Sequence, residues 1–181
     1  MANVDNPHGF APLMRSVVGG PGAALIGAHK LSGDGTALFI HDVVKRAASG
    51  TKKTLCITAA TAAAANFGVN LNYGAVSTAT DHLIIPGHLQ VFEAQEDGVT
   101  HGGVNVAAVD CGLNANLVAT AGNPVTQVSK HEISGTTIAN TNSLDFHLLG
   151  LLDIPSNAFG ANARMLVTFN NSQLDSQIAG A

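Results

Sequence analysis

The sequence predicts an all-β fold: a single β-sandwich, jelly-roll or barrel-like domain with an extended N-terminal arm. From Ala37 onward, short apolar segments are cut by turn residues every 8 to 12 residues or so, the spacing of an antiparallel β domain. Apolar and polar residues alternate along Leu144-Asp145-Phe146-His147-Leu148 and again at Met165, Val167 and Phe169, as a strand with one buried face requires. Glycine and proline crowd the first 36 residues, at Pro7, Gly9, Pro12, Gly19-Gly20-Pro21-Gly22 and Gly33-Asp34-Gly35, where neither a helix nor a central strand can be sustained.

Taken in order, residues 1–24 read as the arm and residues 25–181 as the β domain. Phe10, Leu13, Met14, Val17 and Val18 make the arm apolar, so it needs a surface to lie on, either the parent domain or another subunit. Candidate strands follow at Ala37 to Lys45, Thr54 to Thr58, Gly74 to Thr80, Leu89 to Gln95 and Val104 to Val109. The alanine-rich stretch Thr58 to Asn66 is the one helix candidate, favoured by propensity but short and without a stripe of large apolar residues. The last two strands are expected to form a hairpin, because Asp153-Ile154-Pro155-Ser156-Asn157, Gly160 and Asn162 between them are turn formers.

The composition narrows the function classes. The chain has 181 residues, 46% hydrophobic but only 11% charged and 4% aromatic, with 20 glycines and a net charge of -4. One domain with a core of small side chains is expected at that length, and such low charge with many β-branched residues argues against disorder. Eight Lys and Arg against twelve Asp and Glu offer no basic stripe for phosphates, so nucleic acid is not an expected partner. The N-terminus lacks the basic start and apolar run of an export signal, and no apolar stretch approaches the roughly 20 residues of a membrane span. Cys56 and Cys111 are too few for a disulfide framework and read as free thiols.

No pattern reads as a catalytic, metal or cofactor site. Eight histidines invite a metal hypothesis, yet His29, His41, His82, His88, His101, His131 and His147 show no ligand spacing, and His131-Glu132 lacks the second histidine of HExxH because Gly135 stands there. They read instead as solvated histidines on strand faces or at a subunit contact. Gly50-Thr51-Lys52-Lys53-Thr54 is a near miss for a phosphate loop, with Lys52-Lys53 better read as a solvated turn. Ala75-Val76-Ser77-Thr78-Ala79 has no glycines for a nucleophile elbow. Glu93, Glu96 and Asp97 could raise one another's pKa, but beside Gly98 they read as the polar tip of a hairpin. A surface of Asn, Thr, Ser and Gly with little charge suits a protein that works as an interface, since buried unpaired charge costs several kcal/mol per ion.

Several stretches then resemble one family. Asn6-Pro7-His8-Gly9-Phe10-Ala11-Pro12, Phe39-Ile40-His41-Asp42-Val43-Val44-Lys45 (with His41 where the family pattern has glycine), Phe92-Glu93-Ala94-Gln95-Glu96-Asp97 and Gly112-Leu113-Asn114-Ala115-Asn116-Leu117 occur in order. They are followed by Leu148-Leu149-Gly150-Leu151, Gly160-Ala161-Asn162-Ala163 and Leu166-Val167-Thr168-Phe169-Asn170-Asn171. Together they resemble the head decoration, or capsid cement, proteins of tailed bacteriophages.

The resemblance implies a non-enzymatic virion protein, without cofactor, made in the host cytoplasm and docked on the capsid exterior. Its expected partners are the major capsid protein and further copies of itself, as a dimer or trimer; neither nucleic acid nor a membrane is expected. Pro7, Phe10, Pro12, Leu13 and Met14 are the expected capsid or inter-subunit contacts. The alternatives are another virion component, associated with tail or fibre, or a metal-binding β-barrel enzyme.

Overall fold

Strands β2 (Ile26–Lys30), β3 (Val43–Arg46), β4 (Cys56–Ala59), β5 (Gly68–Asn70) and β6 (Thr80–Pro86) close into a barrel in the order β2-β4-β3-β5-β6. Its pairs are antiparallel except β2 with β4. A second layer is a five-stranded sheet built from β1 (Ala11–Ser16), β7 (Gln90–Gln95), β8 (Asn114–Ala115), β11 (Phe146–Leu151) and β12 (Arg164–Phe169), ordered β1-β7-β12-β11-β8. The short strands β9 (Leu117–Val118) and β10 (Glu132–Ile133) pair with each other. This computed structural model describes residues 3–16, 25–47, 55–88, 90–100 and 105–174, and among them there is no α-helix, only single 3-10 turns at Ala108–Asp110 and Gly135–Thr137. The fold is therefore all-β, a barrel joined to a sheet.

Two apolar clusters fix how the layers meet. Side chains alternate between the faces of a strand, and along β3 Val43 belongs to one cluster and Val44 to the other, as do Ile85 and Ile84 along β6. Val44, Ile57, Ala28 and Ile84 fill the barrel, whereas Val43, Val69 and Ile85 face outward onto the sheet's Phe92, Phe146, Leu148, Met165 and Val167. The sheet's large anchors are four phenylalanines. Phe10 stacks on Phe146 with ring centroids 4.4 Å apart, Phe169 meets Phe146 edge-on at 5.1 Å, and Phe92 lies 5.3 Å from Phe169. Each offsets a good share of the apolar burial that alanine and glycine cannot supply.

The described part of the expected arm is extended and laid onto the domain. Its β1 pairs antiparallel with β7 at the sheet's edge, where Pro12 is tolerated because one side of an edge strand has no partner. Gly9 turns the chain into that strand with φ 75°, and a Cβ there would stand 2.5 Å from both the His41 carbonyl oxygen and Ser129 Cβ. His41 itself adopts φ 71°, a conformation open to glycine, and its carbonyl accepts the Phe10 amide at 3.0 Å.

Several sequence expectations need correction. Thr58 to Asn66 is the end of β4 followed by turns, not a helix. Its amides leave the local helical pattern for distant acceptors: Ala60 to Val43, Ala63 to the Asp145 carboxylate and Asn66 to Asn171. Gly74 to Ala79 is a loop rather than a strand, because the carbonyls of Ala75 and Thr78, with that of Asp34, accept hydrogen bonds from the buried Lys30 ammonium. Within Ala37 to Lys45 only Val43 onward forms a strand, since the left-handed His41 interrupts it. The described residues of Val104 to Val109 lead into a 3-10 turn. The hairpin of β11 and β12 forms as expected, its loop held by Asn157, whose amide donates to the Leu152 and Arg164 carbonyls at 2.7 and 2.8 Å.

Candidate docking face

The outward residues of β7 should be wet, since Phe92 and Ala94 point into the core and Glu93 and Gln95 point away from it. They are buried instead. Residues 3–8 and the β11–β12 loop cover them. Gln95 accepts the Asn6 amide at 3.1 Å and donates to the carbonyls of Val4 at 2.8 Å and Asn162 at 3.2 Å. Asn3 donates to the Ala158 and Ala161 carbonyls at 2.8 and 2.9 Å and accepts the Ala158 amide at 3.1 Å. His8 Nε2 lies 3.0 Å from Glu93 Oε1, which is also ion-paired with Arg164. Burial alone would raise the Glu93 carboxyl, but the His8 hydrogen bond and the Arg164 charge outweigh it and hold the group below its ordinary value.

The result is a latch that leaves a polar cleft of about 360 Å³ lined by Asn3, Asn6, His8, Gln95, Asn157 and Arg164. Val4, 78% exposed, and Phe159, 39% exposed, stand at this junction. Val4 and Phe159 give this face apolar side chains that a protein partner can cover, beside an Arg164 charge already paired with Glu93.

The five residues singled out in the arm separate here. Phe10 is fully buried in the protein's own core, so of the two surfaces open to it the parent domain is the one it occupies, and it offers no direct contact to a partner. Pro7, Pro12 and Leu13 are half-buried. Met14 lies in β1 with its side chain outside the described residues, as do Val17, Val18, Lys52, Lys53 and His101 altogether.

Other polar groups expected in solvent are in the interior. Glu93, Glu96, His82 and His131 are all buried, so neither the reading of the carboxylates as a solvated hairpin tip nor that of every histidine as solvated holds. His82 bonds Asn70 Oδ1 at 2.8 Å and Thr80 Oγ1 at 3.2 Å. Asp42, Ser129 and His131 meet although their sequence positions give no hint of it. The Val43 amide donates to His131 Nδ1 at 3.1 Å, which puts the ring proton on Nε2, 3.5 Å from Asp42 Oδ1. Ser129 Oγ accepts the His131 amide at 3.0 Å, and the Phe39 amide donates to Asp42 at 2.8 Å. The three residue types are those of a hydrolytic triad, but Ser129 bonds the His131 amide and the Asp42 carboxylate rather than the imidazole, and all three are buried; the cluster ties the loops at 39–43 and 128–131 together. Among the described residues no three His, Cys, Asp or Glu side chains converge as metal ligands, and Cys56 is buried while Cys111 is half-buried.

Burial pushes Asp42 up to about 6 and His131 down to about 4. A histidine lowered in the folded state makes the unfolded chain the better proton binder below its ordinary value of 6.5, so its contribution is lost as pH falls from there toward 4. His131→Asn, whose side-chain oxygen can still accept the Val43 amide, removes that titration. The folding equilibrium of wild type relative to this variant is expected to fall by roughly tenfold per pH unit across the window, measured by thermal unfolding.

Compared with known families and proteins, the chain matches no family model, no curated protein and no solved structure. No helix among the described residues is long and apolar enough to cross a membrane.

Proposed function

We propose that the protein is a capsid decoration protein of a tailed bacteriophage, docking on the outside of an assembled shell through the face built by residues 3–13 and the β11–β12 loop. The observation that supports this reading is that the stretches carrying the family resemblance contact one another in space. Asn6 and His8 of the first stretch bond Gln95 and Glu93 of the third, the Phe10 amide bonds His41 of the second, and Asn162 donates to Glu96 at 2.9 Å. Gly112 and Leu113 in turn exchange backbone hydrogen bonds with Leu148. Residues shared with a family as pattern thus form the latch that fixes the N-terminal segment.

A protein that binds the assembled shell and not its dissociated subunits stabilises the shell by mass action, and repetition over many sites multiplies a modest gain per site. Self-association as a dimer or trimer over a symmetry axis belongs to the same reading. Purified protein mixed with shells lacking their decoration is expected to cosediment and to saturate at a fixed ratio to capsid subunits. Absence of saturable binding to intact shells would reject the reading and favour a tail or fibre component.

A further inference from the structure

We propose that Glu96, Asp97 and the Val99 carbonyl form a calcium site where the chain leaves β7. The first observation is an oxygen with nothing to bond it. Glu96 is fully buried; its Oε2 accepts the Asn162 amide at 2.9 Å, while Oε1 is shut off from solvent and has no hydrogen-bond partner. Among the described residues, neither Glu96 nor Asp97 is ion-paired with a Lys, Arg or His. An ionised oxygen buried with neither donor nor cation is costly.

The second observation is what that oxygen faces. A Cβ on Gly135 would collide with both Glu96 Oε1 and the Val99 carbonyl oxygen, so the two border one small space that the glycine leaves open. Oxygens that close to a common point lie within the span of a single calcium ion, which bonds them at roughly 2.4 Å. Asp97 brings a second carboxylate within hydrogen-bond reach of the first, and its Oδ1 accepts the Gly135 amide at 3.0 Å and the Val99 amide at 3.1 Å. Three oxygen acceptors with no donor among them suit a hard cation. Magnesium demands a near-ideal octahedron at about 2.1 Å, whereas two adjacent carboxylates and a carbonyl of the same turn fit the looser shell of calcium. Val99 is 50% exposed, so the turn lies at the surface, where water completes the coordination. The Glu96 amide donates to the Ala163 carbonyl and the Asp97 amide to that of Ile133, each at 3.0 Å. Bound calcium therefore ties the end of β7 to the β11–β12 loop and to the turn at Gly135, stiffening one side of the docking face.

The site is tested on free protein, so its failure is separate from failure of the docking role. Burial first, then the Asp97 carboxylate, raise Glu96 to about 7 against the Gly98 and Asn162 amides, so the titration is done at about pH 8, where the group is ionised. Full-length protein stripped with a chelator is expected to take up one calcium per chain in isothermal titration, with a Kd of about 10⁻⁴ to 10⁻³ M, the weak end for calcium sites. Its melting temperature is expected to rise by about 3–8 °C in roughly 10 mM calcium chloride. Glu96→Gln keeps an acceptor for the Asn162 amide and is expected to lose both the uptake and the shift. Asp97→Asn keeps an acceptor for the Gly135 and Val99 amides and is expected to weaken uptake about tenfold or more; it decides the matter if the first variant does not fold. No saturable uptake by the wild type, or wild-type affinity in a folded variant, would overturn the proposal. So would an equal shift with magnesium chloride, or with sodium chloride at matched ionic strength.

Discussion

Replacing Phe10 with alanine is expected to destabilise the folded protein by about 3–5 kcal/mol, the range for truncating a fully buried aromatic ring. Phe10 stacks on Phe146 and belongs to the cluster that joins the sheet to the barrel wall, so the cavity would open where the two layers meet. An arm lying only on another subunit would give a different outcome, in which removing the first 15 or so residues abolishes docking but leaves a folded domain. With β1 paired to β7 and Phe10 in the core, that truncation also removes an edge strand and one of the few large anchors. Urea unfolding of Phe10→Ala beside Val4→Ala separates the two roles of the segment. The first should shift the midpoint strongly, and the second, at a side chain 78% exposed, should move stability by no more than about 0.5 kcal/mol. Equal midpoints for Phe10→Ala and wild type would contradict the placement of the ring.

Asp145→Ala is expected to be damaging, at roughly 2–4 kcal/mol, because the buried Leu117 amide and the part-buried Ala63 amide lose their acceptor together. The carboxylate accepts the Leu117 amide at 2.8 Å and the Ala63 amide at 3.0 Å, while the Asp145 carbonyl accepts the amides of Asn170 and Asn171. One residue thereby joins the β4–β5 connection to the start of β9 and the end of β12. Burial raises the carboxyl above its ordinary value despite the Leu117 and Ala63 amides, so a neutral side chain of the same shape suits the site. Asp145→Asn retains an acceptor oxygen and should cost only about 1 kcal/mol. Similar losses for the two variants would show that charge, not the acceptor, is what the site requires.

The parts of the fold legible in the sequence are those with one wet face. β11 and β12 alternate visibly, and the turn formers between them announce the hairpin. β6 is the longest strand yet escapes such reading, because Ile84 faces the barrel interior and Ile85 the sheet, so its second half is apolar on both sides. β5 is hidden for the same reason, with Gly68, Val69 and Asn70 all buried. The Ala run failed as a helix since its amides are claimed by acceptors far away in sequence, Asp145 among them.

The candidate face was half legible. Asn6 to Pro12 stood out as an unusual segment, and its apolar residues demanded a surface. That Glu93 and Gln95 would be the residues gripping it could not be read, because the same alternation that turns them away from the core makes them look solvated. His41 is the informative exception: its φ of 71° marks a backbone position that glycine adopts without strain, and no side-chain pattern announces it.

The most direct measurement is hydrogen exchange of the full chain, free and bound to undecorated assembled shells. Docking through the latch face is expected to slow exchange in residues 3–13 and in the loop from Asp153 to Ala163, with the barrel strands β2 and β6 unchanged. Protection confined to the barrel, or none at either place under saturating shells, would contradict it.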